Sequence, residues 1–189
     1  MSAPAPLKLL LTGHPGCGKT TAVREVVRRV EGRVSMSGFW TEEVREGGRR
    51  VGFDGVTLAG QRFALARLTG ETPYVLGPYH VSVEGLERVG VAALEPRPGV
   101  GLLVLDEIGK MESFSTAFRE RVEALLAGPT PLLATVALRG VGLVKKVRQD
   151  RRVQLVTMTP RSRGAIVEDL VRRLEGAHVV PPAQGGKHA

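Results

Sequence analysis

Gly13-His14-Pro15-Gly16-Cys17-Gly18-Lys19-Thr20 decides the fold, because it satisfies the pattern G-x-x-x-x-G-K-[ST] at every position. Glycines at 13, 16 and 18 let the backbone turn through conformations closed to residues with a Cβ, so successive N–H groups point inward at an anion. A helix beginning near Lys19 brings its positive dipole end to the same place. Lys19 then reaches the β- and γ-phosphates of a nucleotide, and the Thr20 hydroxyl is placed to coordinate Mg²⁺. His14 and Cys17 fill variable slots and need no catalytic role, and a small filler outweighs a redox role for Cys17.

The flanks of the loop support this reading. Leu7 to Thr12 is an apolar run that predicts a strand buried on both faces of a parallel sheet. Beyond the loop, Ala22, Val23, Val26, Val27 and Val30 recur at helical spacing, while Arg24, Glu25, Arg28 and Arg29 take the opposite face. Strand, glycine-rich loop and helix together make a phosphate-binding P-loop.

Further on, the pattern switches to strand-like pieces at Gly38–Arg45, Arg49–Leu58 and Arg62–Leu68, broken by Glu46-Gly47-Gly48 and Ala59-Gly60. These predict an antiparallel hairpin or meander inserted after the first helix. Glu84 to Leu94 reads as a helix stopped by Pro96 and Pro98-Gly99. Ser115 to Leu126 reads as another, with Ser115 as N-cap and Gly128-Pro129 as the stop. Leu102–Leu105, Leu132–Val136 and Val153–Thr157 are core strands, Leu143–Arg148 a short helix and Arg161–Leu174 a closing helix. The expected fold is α/β in three layers: a mostly parallel sheet between helices, with an antiparallel hairpin appended. It forms one domain over residues 1–176, followed by a disordered tail over 177–189 that contains Pro181-Pro182 and Gly185-Gly186.

Leu102-Leu103-Val104-Leu105-Asp106-Glu107 ends an apolar strand in two carboxylates. In a P-loop protein the first of them, Asp106, holds Mg²⁺ and its hydration shell opposite Thr20. Glu107 then lies near the γ-phosphate, where it can accept a proton from attacking water. With Glu107 in that role, an additional strand is expected between the loop strand and the acidic strand. Lys110 is either a support for the transferring phosphoryl group or a surface lysine.

Composition narrows the class. Apolar residues make up 42% and charged residues 24% of the chain, and no apolar run approaches the roughly 18 residues of a membrane span, so no membrane partner is expected. The N-terminal stretch lacks a basic n-region, and a single cysteine excludes an intramolecular disulfide and a zinc site; the expected compartment is cytoplasmic. The net charge of +8 is concentrated late: residues 1–138 hold 16 basic and 15 acidic groups, and residues 139–173 hold 10 and 3. Such asymmetry suits a nucleic-acid surface, but no RNA-binding aromatic signature accompanies it, and a solvated face that also balances bound triphosphate is favoured.

Gly38-Phe39-Trp40-Thr41-Glu42-Glu43-Val44-Arg45 and Asp106-Glu107-Ile108-Gly109-Lys110-Met111-Glu112 resemble the small stand-alone nucleoside-triphosphatase family found in prokaryotes and vertebrates. Gly52-Phe53-Asp54, Tyr79 with Val81, Leu133-Ala134-Thr135-Val136, and Val156-Thr157 followed by Arg163 fit the same pattern, which runs from Leu7 to about Leu174. The resemblance implies Mg²⁺-dependent hydrolysis of ATP and other nucleoside triphosphates to the diphosphate and phosphate, on a fold similar to nucleotide kinases. It implies nucleotide contacts from Gly13 to Thr20 and across Leu102, Leu103, Val104, Leu105, Asp106, Glu107, Ile108 and Gly109. The sequence departs from the family in three places: Trp40 replaces a tyrosine, Ser162-Arg163-Gly164 replaces an Asn-Arg-Asp-like triplet, and Arg139-Gly140-Val141-Gly142 lacks a proline-containing turn.

The candidate catalytic residues are therefore Lys19, Glu107 and Arg163, the last either pairing with phosphate as an internal arginine finger or simply exposed at a helix start. Thr41, Glu42 and Glu43 face the mouth of the site if the hairpin folds over it, and are otherwise solvated; Trp40 stacks on a base or packs locally. Two rivals to the hydrolase stand: a nucleoside or nucleotide kinase, and a nucleic-acid-stimulated ATPase. No signal in the chain bears on its oligomeric state.

Overall fold

A computed structural model of the chain describes residues 6–177; the tail expected to be disordered lies, but for Ala177, outside the described residues. Strand β1 (Lys8–Thr12) leads into helix α1 (Lys19–Val30), followed by β2 (Met36–Glu46), β3 (Arg49–Thr57) and β4 (Arg62–Arg67). Two short strands, β5 (Val75–Leu76) and β6 (Tyr79–Val81), precede the single turn α2 (Val83–Gly85), which runs into a π-helical segment, Leu86–Val91. Then come β7 (Leu102–Ile108), a 3₁₀ turn (Glu112–Phe114), α3 (Thr116–Ala127), β8 (Leu132–Val136), α4 (Leu143–Gln149), β9 (Gln154–Thr157) and α5 (Arg163–Gly176).

One sheet holds all nine strands, in the order β5-β6-β4-β3-β2-β7-β8-β1-β9. From β2 to β9 every neighbouring pair is parallel, and from β2 to β5 every pair is antiparallel. Strand β8 lies between β1 and β7, where the additional strand was expected. The antiparallel part extends the expected hairpin: β2 pairs through Met36–Phe39 with β7, so the extension is continuous with the parallel core, and β6 and β5 widen it beyond β4.

Strand alternation sorts the core into two layers, since successive side chains point to opposite faces. Leu9, Leu11, Leu102, Val104 and Leu133 pack with Ala22, Val23, Val26 and Val30 of α1 and with Val167, Leu170 and Leu174 of α5. Leu10, Leu103, Leu105 and Ala134 face the other way, against Phe118, Val122 and Leu125 of α3 and Val144 and Val147 of α4. Each leucine fully buried in this way contributes about 1.5–3 kcal/mol. Ser115 caps α3, its Oγ accepting the Phe118 N–H at 2.9 Å, which fixes where the chain turns after β7.

The expected Glu84–Leu94 helix is present but differs in kind: its middle, Leu86–Val91, is π-helical, with α-helical residues at Val83–Gly85 before it and Ala92–Ala93 after it. Gly90 lies in that turn with no room for a side chain, a Cβ there falling 2.9 Å from the Phe63 ring. A second difference is Lys8, inside the apolar run of β1. It is 1% exposed, and its Nζ donates to Thr130 O at 2.5 Å at the end of the strand remote from the loop. Burial, with the Arg152 charge second, brings its pKa down to about 8.

Candidate functional site

β1 delivers the chain into the glycine loop and α1 leaves it at Lys19. At Gly13 a Cβ would lie 2.4 Å from Met158 O, and φ is +156°, so only glycine lets the loop pass this close to the β9–α5 connection. Gly18 caps α1 in the left-handed region, with no side chain accepting from the first turn and no acidic residue in it. The N–H groups of that turn are therefore left for an anionic ligand. Lys19 Nζ lies 3.3 Å from Gly13 O and 3.4 Å from His14 O, which draws the ammonium across the loop.

Strand β7 approaches from across β8. Its register with β8 slips between Leu105 and Ile108, so Asp106 and Glu107 leave the ladder at the loop end of the sheet. Asp106 is 1% exposed; Thr20 Oγ1 donates to its Oδ2 at 2.7 Å and Thr135 Oγ1 to its Oδ1 at 2.5 Å. Burial raises the Asp106 carboxyl above its ordinary value, opposed by the hydroxyls of Thr135 and Thr20 and by the Lys19 charge. Glu107 is half-buried. Burial and then the Asp106 charge raise its pKa, and Lys19 pulls it down.

The loop, Lys19, Thr20 and Glu107 line one cleft of about 1040 Å³. Its far wall is the antiparallel extension, through Thr41, Glu42, Glu43, Arg50 and Phe53, joined by Arg24 of α1 and by Ala137, Leu138 and Arg139 after β8. The hairpin thus forms a side of the cleft, and of the two readings open for Thr41, Glu42 and Glu43 the structure places them along that side. The residues that could hold a cation are Thr20 and Asp106, a hydroxyl and a carboxylate with oxygen donors only. No cluster of three or more His, Cys, Asp or Glu suited to a metal occurs among the described residues.

Several expected contacts are placed elsewhere. Leu102, Leu103, Val104, Leu105 and Ile108 are 0% exposed, so they cannot touch a nucleotide; they aim the end of β7 by packing both faces of the sheet. Gly109 is also buried. Arg163 does not share the cleft of Lys19 and Glu107. Its Nη1 lies 3.2 Å from where a Cβ on Gly18 would sit, and it lines a neighbouring groove of about 540 Å³ between α1 and α5. Arg163 therefore lies against the loop at Gly18 and outside the cleft lined by Lys19 and Glu107, which departs from the expectation of an arginine finger beside them. Trp40 packs beneath Arg24, whose guanidinium lies 4.8 Å from the ring centroid, and it does not line the cleft. Cys17 is buried, its Sγ 2.8 Å from a Cβ position on Gly13, which fits a small filler. Lys110 is exposed. Ser162 ties the β9–α5 turn, accepting the Thr159 N–H at 3.0 Å.

Three residues gain a place that their local sequence did not give them. Thr135 orders Asp106, and its signal was a lone hydroxyl at the end of an apolar strand. Arg148 of α4 donates to Thr12 Oγ1 at 2.7 Å, immediately before the loop. Glu112, the last residue of the Asp106–Glu112 segment, is 4% exposed.

Residues 8–171 match a protein-family model described as NTPase. The chain is 35% identical over 170 residues to the nucleoside-triphosphatase THEP1 of Thermotoga maritima, covering 89% of this chain and 96% of that protein. It is 36% identical over 178 residues to the human cancer-related nucleoside-triphosphatase, covering 86% and 94% respectively. Its fold superposes on the crystal structure of THEP1 from the hyperthermophile Aquifex aeolicus with a TM-score of 0.80, over 89% of this chain and 99% of the other at 35% identity.

Proposed function

The chain belongs to the NTPase family, and from that membership we propose that it hydrolyses ATP and other nucleoside triphosphates at the γ-phosphate, releasing the diphosphate and phosphate. One observation carries the mechanism: the neighbouring carboxylates are divided between two environments. Asp106 is buried against the Thr20 hydroxyl, and Glu107 opens into the cleft beside Lys19. The first suits a metal and the second suits water.

The N–H groups of the loop and of the first turn of α1 receive the phosphate oxygens, and Lys19 moves from the loop carbonyls to the β- and γ-phosphates. Thr20 and Asp106 would hold Mg²⁺, which binds through one or two protein oxygens with water and phosphate completing its shell. Bound there, the ion would supply positive charge that stabilises the negative charge developing during phosphoryl transfer. Glu107 accepts the proton of the attacking water, and its raised pKa makes it a better base than a solvated glutamate. Antiparallel strands β2 and β3 form the wall of the cleft facing that step.

A panel of nucleoside triphosphates assayed for phosphate and diphosphate, with and without nucleoside or nucleotide acceptors, tests the proposal. Release of both products without any acceptor is expected; diphosphate formation that requires an acceptor would make the chain a kinase.

Thr135→Val should raise the Mg²⁺ concentration needed for half-maximal rate by roughly tenfold, since a hydrogen bond to a charged group is worth about 1.5–3 kcal/mol. Rates titrated with Mg²⁺ in both proteins check this; an unchanged midpoint would remove Thr135 from the site.

The late basic stretch serves solubility and the nucleotide in this reading. Lys146 pairs with Glu123 at 2.6 Å, Arg152 with Asp150 at 2.6 Å and Arg173 with Asp169 at 2.7 Å, and Arg148 is engaged by Thr12. Titration of duplex DNA or generic RNA at physiological salt is expected to give no sub-micromolar binding and no stimulation of ATPase rate. Tight binding with a steep salt slope would contradict it. With one cysteine, buried and unpaired, the chain suits a reducing compartment, and we assign it to the cytoplasm.

A further inference from the structure

Among the described residues, Glu112 is a carboxyl sealed in the protein that the hydrolysis as derived does not use. It opens the 3₁₀ turn after β7, is 4% exposed, and takes part in no ion pair among the described residues. Its position is set by the return of the chain behind Glu107. Ser113 Oγ donates to Gly109 O at 2.5 Å, and Ser115 N–H donates to Glu112 O at 3.1 Å, which closes the turn. A Cβ on Gly109 would sit 2.9 Å from Glu112 Oε2 and 3.7 Å from Glu107 Cδ. The two carboxyl groups therefore lie on either side of Gly109, Glu112 Oε2 within contact of the space a side chain there would take.

A buried carboxyl without a cation is costly, and an apolar side chain at the start of this turn would pack without that cost. Perturbed carboxyls of this kind gather at functional sites. We propose that Glu112 is a positioning residue for the hydrolysis, an acid packed behind Glu107 that fixes where the catalytic carboxylate points and whose ionisation switches the pair off. The proposal rests on the hydrolase reading above.

Burial first, and the Glu107 charge second, push the Glu112 carboxyl up to about 8, against the pull of its own N–H and that of Gly109. The charged groups around it are Glu107 and Asp106 of β7, both negative neighbours. Arg119 of α3 is engaged by the carbonyls of Ser113 and Phe114 and the Thr116 hydroxyl, Lys19 acts on Glu107 and Asp106, and Lys110 is exposed. At neutral pH Glu112 is thus mostly uncharged and adds no negative charge behind Glu107. Above about pH 8 a second carboxylate forms behind it, repels it from its position and opposes the approach of the phosphoryl anion.

The sign for stability is the reverse of a salt-bridged carboxylate. The folded chain keeps a proton that the unfolded chain loses near its ordinary value of 4.5, so the contribution of Glu112 is fully present below that value and is lost as pH rises towards about 8. Glu112→Gln is always neutral and lacks this loss.

The test is kcat and KM for Mg·ATP between pH 6 and 9.5 in wild type, Glu112→Gln and Glu112→Leu, with Tm of the nucleotide-free proteins over the same range. Wild-type kcat should fall about fivefold from pH 8 to pH 9, as one ionisation near 8 requires, and Glu112→Gln should flatten that fall together with the decline in Tm that wild type shows between pH 6 and 8. Glu112→Leu should lose about tenfold or more in kcat at pH 7 with KM preserved, because Glu107 loses its support. A wild-type profile with no alkaline fall, a Glu112→Gln profile that keeps it, or a Glu112→Leu effect confined to Tm would each overturn the proposal. Wild-type protein that releases no phosphate from any triphosphate would instead overturn the hydrolase reading beneath it.

Discussion

Lys19→Ala is expected to reduce phosphate release by about 10³-fold or more while leaving the fold in place. Removing one charged or N–H donor from a developing oxyanion costs on the order of 10²–10³-fold, and Lys19 carries a full charge at the reacting phosphates. Among the described residues its ammonium hydrogen-bonds only the Gly13 and His14 carbonyls, at 3.3 and 3.4 Å, so folding depends little on it. Affinity should weaken as well, since a charge-assisted contact is worth about 1.5–3 kcal/mol, or roughly 10- to 100-fold. Thermal unfolding, a binding isotherm and single-turnover phosphate release on the same variant separate these effects. A variant that keeps half the wild-type kcat would show that Lys19 does not hold the reacting phosphates.

Glu107→Gln is expected to bind Mg·ATP nearly as well as wild type and to release phosphate about 10²-fold more slowly or worse, the usual contribution of a positioned general base. Asp106 acts on the ground state through Thr20 and the metal, and an amide in place of the neighbouring carboxylate would leave that contact intact. Only the basicity next to water is lost. A variant in which affinity and rate fall together would mean that Glu107 belongs to nucleotide binding, and one with the wild-type rate would remove it from the mechanism.

The parts of this account legible in the sequence are those fixed by local pattern. The glycine loop needs its residues at set spacings, α1 starts at Lys19 where the motif requires it, and Ser115 caps α3 as its position before an apolar-periodic segment predicts. The place of β8 between β1 and β7 was also accessible, because two consecutive carboxylates after an apolar strand carry a topological implication by analogy. What was hidden depends on groups distant in sequence. Lys8 reads as a break in polarity within β1 and is nevertheless sealed, since Thr130 O, 122 residues away, accepts its hydrogen bond. Arg163 follows β9 at the loop end of the sheet, but whether it lines the cleft of Lys19 or the groove between α1 and α5 is decided by how α5 packs on α1. The apolar residues of β7 lie in the same strand as Asp106, and their pattern alone does not separate touching a ligand from holding up the residue that does. Short β5 and β6 have too few residues to show an alternation at all.

Turnover of ATP in ¹⁸O-enriched water, with mass analysis of both products, tests the central claim most directly, because it records where water attacks. In-line attack on the γ-phosphorus by a water that Glu107 deprotonates predicts one ¹⁸O in each phosphate released in a single passage and none in the diphosphate. Label in the diphosphate, or diphosphate appearing only when an acceptor is supplied, would contradict it.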